Sequence, residues 1–262
     1  MHKELFRFNL PVFLSNLFDS NQLTVYSYAF CIVFGTLIGA VYTWRCVKNE
    51  LKTDLSNSFF YLVFIAGFVG GKLFFYLEKP LFYFSNPSII LHNFSGGFVF
   101  YGSFVTCIPT VIWYLQKNKI AVLPLLDILA ITTLIVHSFG RLGCFLAGCC
   151  LGTPTNSAFG IIFPSSNQTA VHPTQLYEAI VLLALLIFLQ ILKNKKQFHG
   201  QVFILYLSLY AISRTIIELF RGDKRGFLIE GFLSHSQGIA ILLLIISIFA
   251  YFKLTNNKLT VK

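Results

Sequence analysis

Charge is what this chain has least of. Only 11% of its 262 residues are Asp, Glu, Lys or Arg, against about 25% in soluble domains. From Ala147 to His172 none of the four occurs. With 56% hydrophobic residues, that scarcity excludes a water-facing globular domain and marks a membrane protein. The formal charge is +10, yet no Lys/Arg-rich run interleaved with aromatics appears. That excludes nucleic-acid binding, because basic residues in a membrane chain first report its topology. There is no C-x-x-C pair among the six cysteines, so spacing assigns them no metal, and small apolar packing is their expected role. No linker, low-complexity tract or internal repeat divides the chain, which predicts one polytopic domain over 1–262. The first 22 residues lack the apolar core and small-residue cleavage site of a secretory signal. Their Leu and Phe residues, scattered among polar ones, predict an amphipathic segment in the membrane interface, interrupted at Pro11.

What the chain does have is a series of apolar runs near the length that crosses a bilayer. They fall at 23–45, 57–77, 97–116, 121–146, 174–192, 201–220 and 234–252. The expected fold is an all-α integral membrane bundle of about seven helices. Basic residues then orient it. With the N-terminus outside, eleven Lys and Arg collect on the cytoplasmic side and six on the other, favouring N-out and C-in. The other three, Lys72, Arg141 and Arg214, fall inside spans, toward their outer ends, where Glu178 and Glu218 join them. Ionised groups in hydrocarbon cost several kcal/mol unless paired, hydrated or used, so these five point to a working site at the outer leaflet.

The motifs refine that site. Gly140-Arg141-Leu142-Gly143 predicts close backbone approach, an irregular turn, and a planar guanidinium fork suited to phosphate. Arg214 and Glu218 stand four residues apart and Arg221 three further on, so one helix face would carry plus, minus, plus as a phosphate clamp. His172-Pro173-Thr174-Gln175-Leu176-Tyr177-Glu178 reads as a loop entering a helix, with Pro173 in the first turn and Thr174 or Gln175 serving free backbone donors. Glu178 would then face inward.

Taken in order, these segments resemble the prolipoprotein diacylglyceryl transferases. Tyr26-Ser27-Tyr28 matches that family's early tyrosine region, and Gly70-Gly71-Lys72-Leu73 its small-small-Arg-Leu segment. Gly96-Gly97-Phe98-Val99-Phe100-Tyr101-Gly102-Ser103 is similar to G-G-x-x-F-H-G-G. Gly140-Arg141-Leu142-Gly143-Cys144-Phe145 is similar to the signature G-R-x-G-N-F-x-N-G-E, and His172 to Glu178 to H-P-S-Q-L-Y-E. Arg214, Glu218, Phe220 and Arg221 match R-x-x-x-E-x-F-R, and Gln237 a late glutamine.

The resemblance implies an enzyme of the bacterial cytoplasmic membrane. It would move diacylglyceryl from phosphatidylglycerol to the lipobox cysteine of a prolipoprotein signal peptide and release glycerol phosphate, with no cofactor. It implies catalytic roles for Tyr101, Arg214 and Glu178. Substrate binding falls to Arg141, Tyr28, Lys72, Gly143, Glu218, Arg221 and Gln237. Three positions depart from the pattern: Tyr101 stands for a histidine, Cys144 for an asparagine and Cys149 for a glutamate. The base that takes the acceptor's proton is therefore open among Tyr101, Glu178 and His172. Two alternatives remain: a divergent transferase with another acceptor, and a membrane thiol oxidoreductase using Cys144, Cys149 and Cys150.

Overall fold

A computed structural model of the chain describes residues 4–9, 22–77, 80–85, 100–222, 227–229 and 233–256. The chain forms two compact units, one of residues 1–43 with 126–262 and one of residues 44–125. Among the described residues six helices are long and apolar enough to cross a membrane.

The larger unit opens with strands β1 (Glu4–Asn9) and β2 (Gln22–Tyr26), paired antiparallel. The expected interfacial segment is therefore, where described, one half of a β-ribbon. The alternation of Phe6 and Phe8 with polar residues has the period of a strand. The first span starts later than expected for the same reason: α1 (Ser27–Cys46) begins only after β2 ends.

Helix α1 packs on α5 (Val122–Ala147) through small residues. A Cβ built on Gly35 would meet Phe139 Cβ at 2.7 Å, and one on Gly39 would meet Val136 and Thr132 near 3 Å. In lipid, where apolar burial drives no association, such close backbone approach and polar cross-links hold helices together. Thr43 and Thr132 supply one cross-link, their hydroxyls 2.6 Å apart. The remaining spans are α6 (Thr174–Lys193), α7 (Gln201–Glu218) and α8 (His235–Asn256), with α7 packed on both neighbours. Ala130, Ile131, Leu134, Leu182, Leu189, Val202 and Tyr206 form a core shared by α5, α6 and α7. Outward faces stay apolar, as at Ile180, Ile187 and Phe249, which suits lipid rather than water.

The smaller unit holds α2 (Asn57–Leu77), the short α3 (Pro80–Ser85) and α4 (Phe100–Lys117). Here α2 and α4 approach closely, since a Cβ on Gly70 would meet Gly102 O at 2.5 Å. Ser103 and Thr106 hydroxyls donate to Gly67 O and Ala66 O across that seam at 2.6 and 2.7 Å. The expected third span is thus a helix from Phe100, but with Gln116 and Lys117 among its 18 residues it is not one of the six apolar enough to cross.

Candidate active site

Two local devices build the site. The first ends α5. Gly148 takes a left-handed φ of 67°. The Gly148 N–H donates to Phe145 O and the Cys149 N–H to Cys144 O, at 3.1 and 3.2 Å. This paired return is the Schellman ending, which needs a residue without a Cβ at its left-handed position. It folds Cys149 back over Cys144. Cys150 is left-handed as well, with φ 60°.

The second device is the H-P-T-Q turn. Thr174 Oγ1 donates to Cys150 O at 2.9 Å and Gln175 Nε2 to Cys149 O at 2.5 Å. These side chains therefore bind the preceding loop's carbonyls rather than the helix's free N–H groups, and Pro173 caps α6 instead of lying inside it. The loop is also clamped to the end of α7. Thr153 N–H donates to Phe220 O, and Gly222 N–H to Leu151 O. Gly152 allows the approach, because a Cβ there would meet Phe220 O at 2.7 Å.

These constraints gather charge around Glu178, which is 1% exposed. Its Oε1 lies 3.0 Å from Arg141 Nη2 and 3.5 Å from His137 Nε2, and accepts the Tyr210 hydroxyl at 3.3 Å. Its Oε2 lies 3.9 Å from Arg221 Nη1 and makes no hydrogen bond. One turn along α7 from Tyr210, Arg214 Nη2 contacts Glu218 Oε2 at 2.5 Å. That ion pair lacks hydrogen-bond alignment, and Arg214 Nη1 and Nη2 and Arg141 Nε are buried without a hydrogen bond. Three arginines against two carboxylates leave +3 − 2 = +1. A cluster with unsatisfied guanidinium donors and net positive charge has the chemistry to bind an anion such as a phosphate.

The sequence expectations fare unevenly. Arg141, Glu178, Arg214, Glu218 and Arg221 are all buried or nearly so, and Arg141 and Arg221 meet at Glu178. The expected plus-minus-plus helix face is corrected, however. Helix α7 ends at Glu218, the chain turns tightly, and Arg221 enters a bridge with Gly152 that aims it at Glu178. The expected irregular turn at Gly140–Gly143 is corrected too, because α5 runs through it unbroken. Those glycines serve packing. A Cβ on Gly143 would meet Cys31 Cβ at 3.0 Å and Tyr28 Cα at 3.2 Å. Gly143 thus seats Tyr28 beside α5, within electrostatic reach of Arg141.

Gln237 stands half-buried in the first turn of α8. Lys72 is buried on α2 of the smaller unit, beside Gly70 and Gly71. The side chain of Tyr101 and all of Gly96 to Val99 lie outside the described residues. His172 Nδ1 is 3.2 Å from the Tyr177 hydroxyl, and its ring packs on Phe220.

Sequence reasoning passed over His137 and Tyr210. The signal was present: His137 is four residues before Arg141 and Tyr210 four before Arg214, each pair one turn apart on one helix face. The three cysteines that the sequence offered as a thiol alternative do come together. Cys144, Cys149 and Cys150 place all their Sγ atoms within 4.8 Å of one another, and all six cysteines are free. Hydrogen bonding with the Cys144 and Cys149 thiols, reinforced by the Arg221 guanidinium, holds the Cys150 thiol below its ordinary range.

The prolipoprotein diacylglyceryl transferase family profile matches residues 15–253. The phosphatidylglycerol–prolipoprotein diacylglyceryl transferase of Clostridium tetani is 35% identical over 240 residues, covering 90% of this chain and 95% of that protein. A second such transferase, from Clostridium perfringens, is 34% identical over 87% of this chain and 91% of its own length. The enzyme of that name from Rickettsia bellii is 32% identical over 93% and 96%. This chain therefore belongs to the prolipoprotein diacylglyceryl transferase family and is a multi-pass membrane enzyme of the transferase class.

Proposed function

We propose that the enzyme transfers the diacylglyceryl group of phosphatidylglycerol to the lipobox cysteine thiol of a prolipoprotein, releasing glycerol phosphate. The observation that carries this reading is the set of buried guanidinium donors without hydrogen bonds on Arg141 and Arg214, around a site of net positive charge. The donor's phosphate is the leaving group. Positive charge already aimed at it stabilises the charge that develops on the phosphate as the diacylglyceryl carbon–oxygen bond breaks and the sulfur–carbon bond forms, without reorganisation during the reaction. Arg141 binds the phosphate and Arg214 assists its departure. Glu178 acts as a positioning residue: its carboxylate is engaged by Arg141, His137, Tyr210 and Arg221, so it holds the cations in place rather than taking the acceptor's proton. Glu218 holds Arg214 in the same way, and Tyr28 lines the site where Gly143 admits it. Because thiolate is the attacking species, the acceptor must lose its proton at this site.

We place the protein in the bacterial cytoplasmic membrane with the N-terminus outside, on the eleven-to-six distribution of basic residues. The test uses purified protein in phosphatidylglycerol vesicles with a lipobox peptide. Glycerol phosphate should appear together with a diacylglyceryl-modified peptide, and a serine-for-cysteine peptide should give neither. Folded wild-type protein that leaves both lipid and peptide unchanged would reject the reading.

A further inference from the structure

The cysteine cluster has no part in that account, although the fold holds it in place. Cys144 is buried at the end of α5, Cys150 is half-buried and Cys149 is exposed. Cys149 and Cys150 line a cleft of about 460 Å³ together with Gly152, Ser166 and Val171. The carbonyls of Cys149 and Cys150 are fixed by Gln175 and Thr174. Cys150 also keeps a left-handed backbone with φ 60°, a conformation side chains rarely adopt unless their surroundings impose it.

Separation decides what such a cluster can do. A tetrahedral cation with bonds of about 2.3 Å sets its sulfur ligands roughly 3.8 Å apart. Three Sγ atoms all within 4.8 Å meet that span with side-chain adjustment alone. A disulfide suits them less, since it would use the strained vicinal pair or leave an odd thiol. Three thiolates and a divalent cation sum to −3 + 2 = −1, and the guanidinium of Arg221 lies against Cys150 to balance it.

We propose that Cys144, Cys149 and Cys150 bind a soft divalent cation of the zinc type through three thiolates, leaving its fourth position open to the cleft for an outside thiol. The cation site stands on geometry alone; the role of the fourth position rests on the transferase reading. An incoming thiol displaces water from that position and binds as thiolate, its proton passing to solvent, because a coordinated thiol is deprotonated. No oxidation is involved. The site then supplies the acceptor's deprotonation in a chain whose signature asparagine and glutamate positions are Cys144 and Cys149.

Full-length protein, reduced and stripped of metal in detergent, is titrated with zinc alone and its metal content measured. One zinc per chain is expected in wild type and none above background in C144S/C149S/C150S. Should that variant fail to fold, C149S at the exposed position serves instead. Its zinc affinity should fall at least about tenfold, the scale for disturbing even an outer partner of a metal site. Zinc uptake equal in wild type and variant overturns the site, as does a disulfide between any two of the three in protein purified under air. Cobalt loading should give sulfur-to-metal charge-transfer bands that shift with a cysteine peptide and not with its serine analogue. An unchanged spectrum overturns the role of the fourth position. Phosphatidylglycerol consumption is followed in parallel. Consumption without zinc binding rejects this inference and leaves the transferase standing, whereas zinc binding without consumption supports the site and rejects the transferase.

Discussion

Asp127 and Glu178 are both fully buried carboxylates in the larger unit, 0% and 1% exposed, and they are put to opposite uses. Asp127 is satisfied. Its Oδ2 accepts from Lys196 Nζ and the Gly200 N–H at 2.9 Å each, and its Oδ1 from the Phe203 N–H at 3.1 Å. Two of those donors are free backbone groups at the start of α7, so Asp127 caps that helix from α5 and one lysine neutralises it. Glu178 meets three basic side chains and a hydroxyl at 3.0 to 3.9 Å, while one oxygen makes no hydrogen bond. A carboxylate whose partners match its charge and lone pairs holds structure together. One ringed by excess positive charge, with donors left over, is in the proposed function the centre of an anion site.

That contrast can be broken by substitution. The largest expected effect is at Asp127. Asp127→Ala strands Lys196 and the α7 donors and should cost about 3–5 kcal/mol of stability, the range for breaking a buried ion pair. Melting in detergent measures it, and turnover per folded molecule should hold. Equal loss of turnover per folded molecule would erase the distinction drawn above. Arg141→Ala should do the reverse, lowering phosphatidylglycerol turnover by about 100-fold or more, as removal of one preorganised donor does, with melting little changed. Glu178→Gln keeps the shape and loses the charge that orients Arg141. Steady-state kinetics should show kcat reduced by about tenfold with KM for the lipid not raised, the pattern for an interaction needed only in the transition state. The smallest effect is expected for Arg214→Lys, which keeps the charge and loses the fork. A drop in turnover of only a few-fold, not restored at higher lipid concentration, would confirm that Arg214 acts chiefly as a charge on the departing phosphate.

Much of this was legible along the chain. Apolar runs of fixed length located α2, α5, α6 and α7 to within a few residues, because a bilayer imposes that length and leaves no freedom to hide it. The Arg214–Glu218 pair was legible too, since helical geometry alone brings i and i+4 together. The N-terminal ribbon was not, because its pairing joins Glu4–Asn9 to residues more than a dozen positions on. The task of Thr174 and Gln175 was hidden similarly: their partners lie 24 and 26 residues earlier, on a loop whose path depends on the left-handed turn at Gly148.

The solvent, the helices and the stock of charges can all be read along the chain. Those follow from composition, from run length and from contacts within one turn of helix. Long-range folding is what turns Arg221, just past the end of α7, toward Glu178, joins His137 and Tyr210 to the same carboxylate, and brings three cysteines together. The reason is one of distance along the chain. A lipid environment makes any unmatched charge expensive, so the fold must bring charges from α5, α6 and α7 to a common point, and no local pattern records where that point lies.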